Sequence, residues 1–213
     1  MAEKSIGKFL VKTGALKFGD FTLKSGRKSP YFVNTGIICE GKEFLELCGF
    51  LAEKIEGIGG CDVVYGPAYK GIPLAVGVAI ALSKKGKRVY WLFNRKEEKA
   101  HGDRGVFVGH LPAPGESVVL VDDVFTTGGT KYENVDLLKG IGVRLKAVVV
   151  AVDREEKGEG GGPAAKEFEE RAGVPVKAVA STSEIFEELR GKQVSEGIYR
   201  RFLEYRREYG AEK

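Results

Sequence analysis

Five short apolar runs, rich in β-branched residues and separated by segments of helical spacing, constrain this chain more than any other feature. They are Cys61–Tyr65 (CDVVY), Arg88–Phe93 (RVYWLF), Ser117–Val121 (SVVLV), Leu145–Val152 (LKAVVVAV) and Val176–Ala180 (VKAVA). Four of the five lack clean polar alternation, and each is bounded by glycine, proline or charge. Strands buried on both faces read this way, as in a parallel sheet. Between them, Ile72–Lys84 is apolar almost all round, Thr130–Gly140 carries Val135, Leu137 and Leu138 before a glycine, and Ala164–Ala172 is charged and ends at Gly173. Strands alternating with helices imply βαβ units and a doubly wound α/β sheet. Ser195–Gly210 predicts an exposed helix rich in Arg, Tyr and Glu, and Gly158–Gly162 a flexible loop.

A chain of 213 residues suits one α/β domain with a small appended lobe. The 34 basic and 30 acidic residues leave a formal charge of +4, too mild to argue for nucleic acid and compatible with phosphate ligands. The three cysteines, Cys39, Cys48 and Cys61, form no CxxC pair. With only two histidines in the chain, they read as reduced thiols rather than a zinc site. The N-terminus MAEKSIGKFL has no long apolar core, and no stretch approaches the ~20 apolar residues of a membrane span. A cytoplasmic location, with no membrane and no nucleic-acid partner, is the expectation.

The most legible chemistry lies in VVLVDDVFTTGGT, Val118–Thr130. Four apolar β-formers lead to Asp122 and Asp123, then to Val124, Phe125, Thr126, Thr127, Gly128, Gly129 and Thr130, and a helical segment follows at once. A parallel strand delivers its C-terminal end to the edge where open α/β sheets bind ligands. The helix begins with unsatisfied N–H groups and a positive dipole end. Glycines let a phosphate approach and threonine hydroxyls add donors, which together make an anion cradle. Adjacent strand residues point to opposite sides, so the two acids need not share one site. Carboxylates accept well from ribose hydroxyls. The constellation therefore suits a sugar phosphate. No GK[ST] follows the glycines, so this is not a Walker A loop.

This segment resembles, over all thirteen positions, the phosphoribosyl pyrophosphate (PRPP) signature of type I phosphoribosyltransferases. The resemblance implies a parallel five-stranded sheet flanked by helices and a small N-terminal hood over the base. It also implies Mg²⁺, held mainly through PRPP and water with no direct protein ligand. In these terms residues 1–213 form a single phosphoribosyltransferase domain. The hood spans about 1–40 with parts of the C-terminus, and the PRPP-binding core spans about 41–180.

Four further segments resemble orotate phosphoribosyltransferases in particular. FTLKSGRKSPYFVN, Phe21–Asn34, reads in isolation as a basic turn entering an edge strand. The resemblance puts Lys24 on PRPP and Phe32 and Val33 along the orotate ring, although the family usually has a second aromatic where this chain has Val33. YGPAYKGIPLA, Tyr65–Ala75, is in isolation a structural turn; by resemblance Tyr69 and Lys70 hold pyrophosphate. FNRKEEKAHGDRG, Phe93–Gly105, is in isolation a solvated charged loop. By resemblance it is a mobile catalytic loop that closes over the partner's site in a homodimer, with Arg95, Lys96, Lys99 and His101 on PRPP or pyrophosphate. Lys99 and His101, with Asp122 and Asp123, form the implied catalytic set. AVDREEKG, Ala151–Gly158, puts Arg154 at a strand end. An arginine there can grip a carboxylate bidentately, which orotate has and uracil and purine bases lack. An ion pair with Glu155 or Glu156 is the plainer alternative. Thr126 joins Phe32, Val33 and Arg154 on orotate by the same resemblance. The implied reaction joins PRPP and orotate to give orotidine 5'-monophosphate and pyrophosphate. A phosphoribosyltransferase for another base, or a PRPP-sensing regulator without turnover, is the alternative. His110 has no such context.

Overall fold

The computed structural model describes residues 5–23, 26–99 and 105–211, without the side chains of Glu98 and Lys99. The chain begins with helix α1 (Ile6–Lys12), where the Ser5 hydroxyl accepts from the Lys8 amide and satisfies one orphan donor. Strands β1 (Leu16–Thr22) and β2 (Lys28–Val33) pair antiparallel as a separate two-stranded sheet. Helix α2 (Gly41–Gly57) follows. Its Leu47, Leu51 and Ile55 recur at helical spacing and are buried.

The main sheet is then built from β3 (Val63–Gly66), helix α3 (Gly71–Lys84), β4 (Tyr90–Lys99), β5 (Gly105–Gly109), β6 (Ser117–Phe125), α4 (Gly129–Gly140), β7 (Arg144–Asp153), α5 (Ala164–Ala172) and β8 (Val176–Ser181). Helices α6 (Thr182–Leu189) and α7 (Glu196–Tyr209) complete the chain.

Strand order is β5-β4-β3-β6-β7-β8. The five apolar runs are the five parallel strands β3, β4, β6, β7 and β8. A sixth strand, β5, runs antiparallel to β4 at the edge. It is five residues long and glycine-bounded, too short to show a period of its own. The missing polar alternation has its cause in two packed faces. Along β7, Val149 and Ala151 face α2 and α3, whereas Val148 and Val150 face α4 and α5.

The direction of winding reverses between β3 and β6, and this defines the crevice where open α/β sheets take ligands. The loops at the C-terminal ends of these two strands therefore lie side by side.

Helix α7 departs from the sequence expectation of an exposed helix. Phe202 and Tyr205, three apart and so on one face, are buried against β2 and α6. Phe202 stacks on Phe186 with centroids 3.8 Å apart. The arginines and glutamates mark only the outer face. Among the described residues no helix is long and apolar enough to cross a membrane.

Candidate active site

Strand β6 carries Val118 to Val121 fully buried and continues through the acids to Phe125. The two carboxylates take separate partners, as the period of a strand requires. Asp122 Oδ2 accepts from Lys131 Nζ at 2.7 Å. Asp123 Oδ2 accepts from Lys70 Nζ at 2.9 Å and from the Thr35 hydroxyl at 3.1 Å. Their remaining oxygens bond the next backbone amides, Asp123 N and Val124 N, each at 2.9 Å.

The chain then turns into α4. Gly128 is its N-cap at φ 81, and no side chain among the described residues caps the first turn. A Cβ at Gly128 would lie 3.0 Å from the Phe168 ring and 3.1 Å from the Phe125 ring, so both conformation and space demand glycine. Thr126, Thr127, Gly129 and Thr130 are exposed. Open amides, hydroxyls and the dipole end meet there, which is an anion site by its physics.

Lys131 escaped the sequence reading. It is the third residue of α4 and is 5% exposed. Its ammonium bonds Asp122 and, at 2.9 Å, the Val124 carbonyl. A cation in the first turn opposes the helix dipole, and the carboxylate contact offsets this. The available signal was a lysine nine residues after an acid and just inside a helix start.

Across the crevice, the β3–α3 turn packs backbone on backbone. A Cβ on Gly66 would fall 1.9 Å from the Gly71 carbonyl oxygen. The Ala68–Tyr69 peptide is cis, and Ala68 N donates to Asn94 Oδ1 at 3.0 Å. Lys70 reaches out from this turn to Asp123 and, at 3.4 Å, to Asn34 Oδ1. The structure thus pairs Lys70, which the resemblance puts on pyrophosphate, with Asp123, whose carboxylate suits a ribose hydroxyl. Tyr69 is 68% exposed, with the Lys96 ammonium 4.8 Å from its ring centroid.

The charged segment 93–105 is less a loop than expected. Residues to Lys99 extend β4, and the chain returns as β5, with Lys99 paired to Gly105. Arg95 Nη1 donates to the carbonyls of Gly105 at 3.0 Å and Phe107 at 3.3 Å, so its guanidinium ties the two strands together. Lys24 and His101 lie outside the described residues, as does the Lys99 side chain. His110 pairs with Glu116 at 2.7 Å and stacks on Tyr90 at the start of β4, at the opposite end of that strand.

Arg154 follows β7 and is 5% exposed. Its Nε donates to Glu156 Oε1 at 2.6 Å, and its Nη2 reaches the Tyr205 hydroxyl at 3.1 Å and Ser29 Oγ at 3.5 Å. The guanidinium lies 4.4 Å from the Tyr31 ring centroid. Glu156 also accepts from the Tyr205 hydroxyl at 2.6 Å and from Arg27 Nη1 at 3.1 Å. The ion pair with Glu156 is therefore present, buried rather than at the surface. Burial would lower the Arg154 pKa, but Tyr31, Glu156 and Tyr205 outweigh it and hold the cation. Burial, then the bond to Glu156, pushes the Tyr205 hydroxyl up to about 12.

The loop itself is fixed by α6. The Thr182 hydroxyl donates to the Arg154 carbonyl at 3.1 Å, and Ser183 N donates to Glu155 Oε2 at 2.8 Å. Glu155 sits at φ 54, where a non-glycine residue costs about 1–2 kcal/mol. On the hood, Phe32 is 39% exposed and stacks on Phe21, whereas Val33 turns into the core. Arg154 meets the face of β2 that carries Ser29 and Tyr31, and Phe32 lies on the other. Val33 offers the Phe32 side only its backbone.

Comparison with known proteins bears on the family and the fold. Residues 34–179 match the family model of the phosphoribosyl transferase domain. The orotate phosphoribosyltransferase of Nitrosococcus oceani is 41% identical, over 97% of this chain and 94% of its own. That of Methylococcus capsulatus is 43% identical, over 89% of each. The crystal structure of the Francisella tularensis orotate phosphoribosyltransferase superposes with a TM-score of 0.83 at 37% identity, over 96% of this chain and 98% of that one. With the acid pair, the uncapped helix start and the lysine turn all in place along the matched region, this chain belongs to the orotate phosphoribosyltransferases.

Proposed function

We propose that the crevice between β3 and β6 holds PRPP and brings its C1 carbon to N1 of orotate, the transfer for which the family is named. One observation carries the reading. Strand β6 sends Asp122 and Asp123 to opposite sides immediately before an uncapped helix start. The 5-phosphate then rests on Thr126–Thr130, and the ribose hydroxyls meet the two carboxylates. Tyr69, Lys70 and Lys96 flank the diphosphate, and Lys24, Arg95, Lys99 and His101 complete its cationic surround.

The C1–O bond to pyrophosphate breaks as C1–N1 forms, through a sugar of oxocarbenium character, and the base N1 proton passes to solvent. No nucleophilic side chain is needed. The residues position the reactants and offset the charge of the leaving group, with Lys99 nearest to that task. Closure of the 95–105 segment keeps water from PRPP. Arg154 reads the orotate carboxylate and so sets base choice.

Among the described residues no group of three or more His, Cys, Asp and Glu side chains gathers to hold a metal, and both site acids are committed to lysines. These side chains do not fit a protein metal cage. Mg²⁺ would enter on PRPP, a hard cation on phosphate oxygens and water, and would supply charge neutralisation there. We further infer a homodimer working in the cytoplasm. Tyr69 in the β3–α3 turn, Ile80 on α3 and Trp91 on β4 are 37–68% exposed, apolar side chains that a partner subunit would cover. Three free thiols suit a reducing compartment.

Mixing the protein with PRPP, Mg²⁺ and orotate should consume orotate absorbance and release pyrophosphate stoichiometrically. EDTA should abolish this, and uracil or hypoxanthine should not replace orotate. Turnover with another base in preference, or PRPP binding without turnover, would overturn the reading. Sedimentation showing only monomer at working concentration would remove the dimer.

A further inference from the structure

We propose that Tyr205, on the C-terminal helix, is a positioning residue for base recognition: with Glu156 it fixes the Arg154 guanidinium before orotate arrives. This rests on the reading of Arg154 as the partner of the orotate carboxylate.

The contacts come from three parts of the chain. Arg154 reaches Ser29 on β2, Glu156 in its own loop and Tyr205 on α7, partners 125, 2 and 51 residues away. Glu156 and Tyr205 are as buried as Arg154, at 4% and 5% exposure. The Tyr205 hydroxyl closes a ring of bonds, donating to Glu156 Oε1 and accepting from Arg154 Nη2. A long, flexible side chain is thereby held in one rotamer, its plane set by the Tyr31 ring on one side. These contacts occupy Nε and Nη2, and none of them uses Nη1. That nitrogen is the donor left to meet a ligand oxygen.

Charge points the same way. One carboxylate, Glu156, serves two guanidiniums, Arg154 and Arg27. The neighbouring Glu155 carboxylate instead accepts from the first residues of α6. Arg154 and Arg27 thus share a single carboxylate, and an anionic base would bring them a second acceptor. Helix α7 holds the second arginine as well, since Arg27 lies 5.1 Å over the Tyr209 ring. Preorganisation of this kind favours binding by removing an ordering cost at the moment of association.

Tyr205→Phe keeps the ring, which packs 5.7 Å from Tyr31, and removes only the hydroxyl. The expected result is a KM for orotate raised about tenfold, the scale of one lost charge-assisted bond. The KM for PRPP and kcat should stay within about twofold. A merely structural role would instead lower the melting temperature and weaken both substrates together, which would overturn the proposal. Arg154→Lys separates the two layers of argument. If it leaves the orotate KM unchanged, the assignment of Arg154 to the base fails. If it raises that KM while Tyr205→Phe does not, the assignment stands and the positioning role fails. Adding Tyr205→Phe to Arg154→Lys should bring no further loss, and a full second tenfold loss would refute the coupling.

Discussion

Replacing Lys131 by methionine removes an ammonium that bonds Asp122 Oδ2 at 2.7 Å and the Val124 carbonyl at 2.9 Å. The two side chains of the pair are only 6% and 16% exposed. Breaking a buried pair by deleting one partner costs about 3–5 kcal/mol, because the other charge stays behind unpaired. Asp122 keeps some solvent and its bond to the Asp123 amide. The methionine also relieves a cation in the first turn of α4, so about 2–3 kcal/mol is the better figure. For a domain of this size each 1 kcal/mol moves the melting temperature by roughly 2–4 °C. Calorimetry should therefore find Lys131→Met lower by about 5–10 °C. Neutralising the partner as well, in Lys131→Met with Asp122→Asn, should recover more than half of that loss, since no orphan charge remains. A single variant that melts within about 1 °C of the parent, or a double variant as unstable as the sum of the singles, would refute the reasoning.

The thiols give a second test. Burial pushes Cys48 and Cys61 up to about 12, and Cys39 is exposed. One thiol per chain should react rapidly with Ellman's reagent at pH 8, and all three after denaturation. Since unfolded thiols ionise near ~8.5, the buried pair favours folding below that pH. This contribution is lost as pH rises towards 12, so stability measured by urea unfolding should fall from about pH 8.5 upward. Gly128→Ala places a methyl 3.0 Å from Phe168 at φ 81, and should cost about 1–2 kcal/mol in chemical denaturation while weakening PRPP. Lys99→Ala should lower kcat about a hundredfold with orotate binding retained, and a parallel fall in both would remove its role at the leaving group.

Much of this molecule is legible in the chain alone. The five parallel strands declare themselves because residues such as Val148, Val149 and Val150 are buried on both sides of the sheet and cannot alternate with polar ones. The bounds of α5 coincide with Ala164–Ala172, where Gly173 adopts φ 67 and stops the helix. The acid pair and threonine–glycine loop were readable because their chemistry is local, one strand end and one helix start. Helix α2 carried a usable signal in Leu47, Leu51 and Ile55 that the strand pattern overshadowed. What could not be read is pairing across distance. Nothing in the sequence around Glu156 or Ser29 announces Tyr205. Lys70 and Asp123 lie 53 positions apart, and only the winding of the sheet brings them within 2.9 Å. Arg95 is a ligand cation by resemblance, and its bonds across the β4–β5 ribbon depend on a strand too short to foresee.

The lysines on Asp122 and Asp123 also shape how an anion experiences the crevice. Two bare carboxylates beside a phosphate cradle would each oppose an incoming phosphate charge at ~4 Å by about 4 kcal/mol at an effective dielectric near ~20. Here each is already matched by its own ammonium. A polyphosphate approaching the sheet edge therefore meets closed dipoles instead of naked like charge. The acids can stand ready for hydroxyls without turning away the group that carries them.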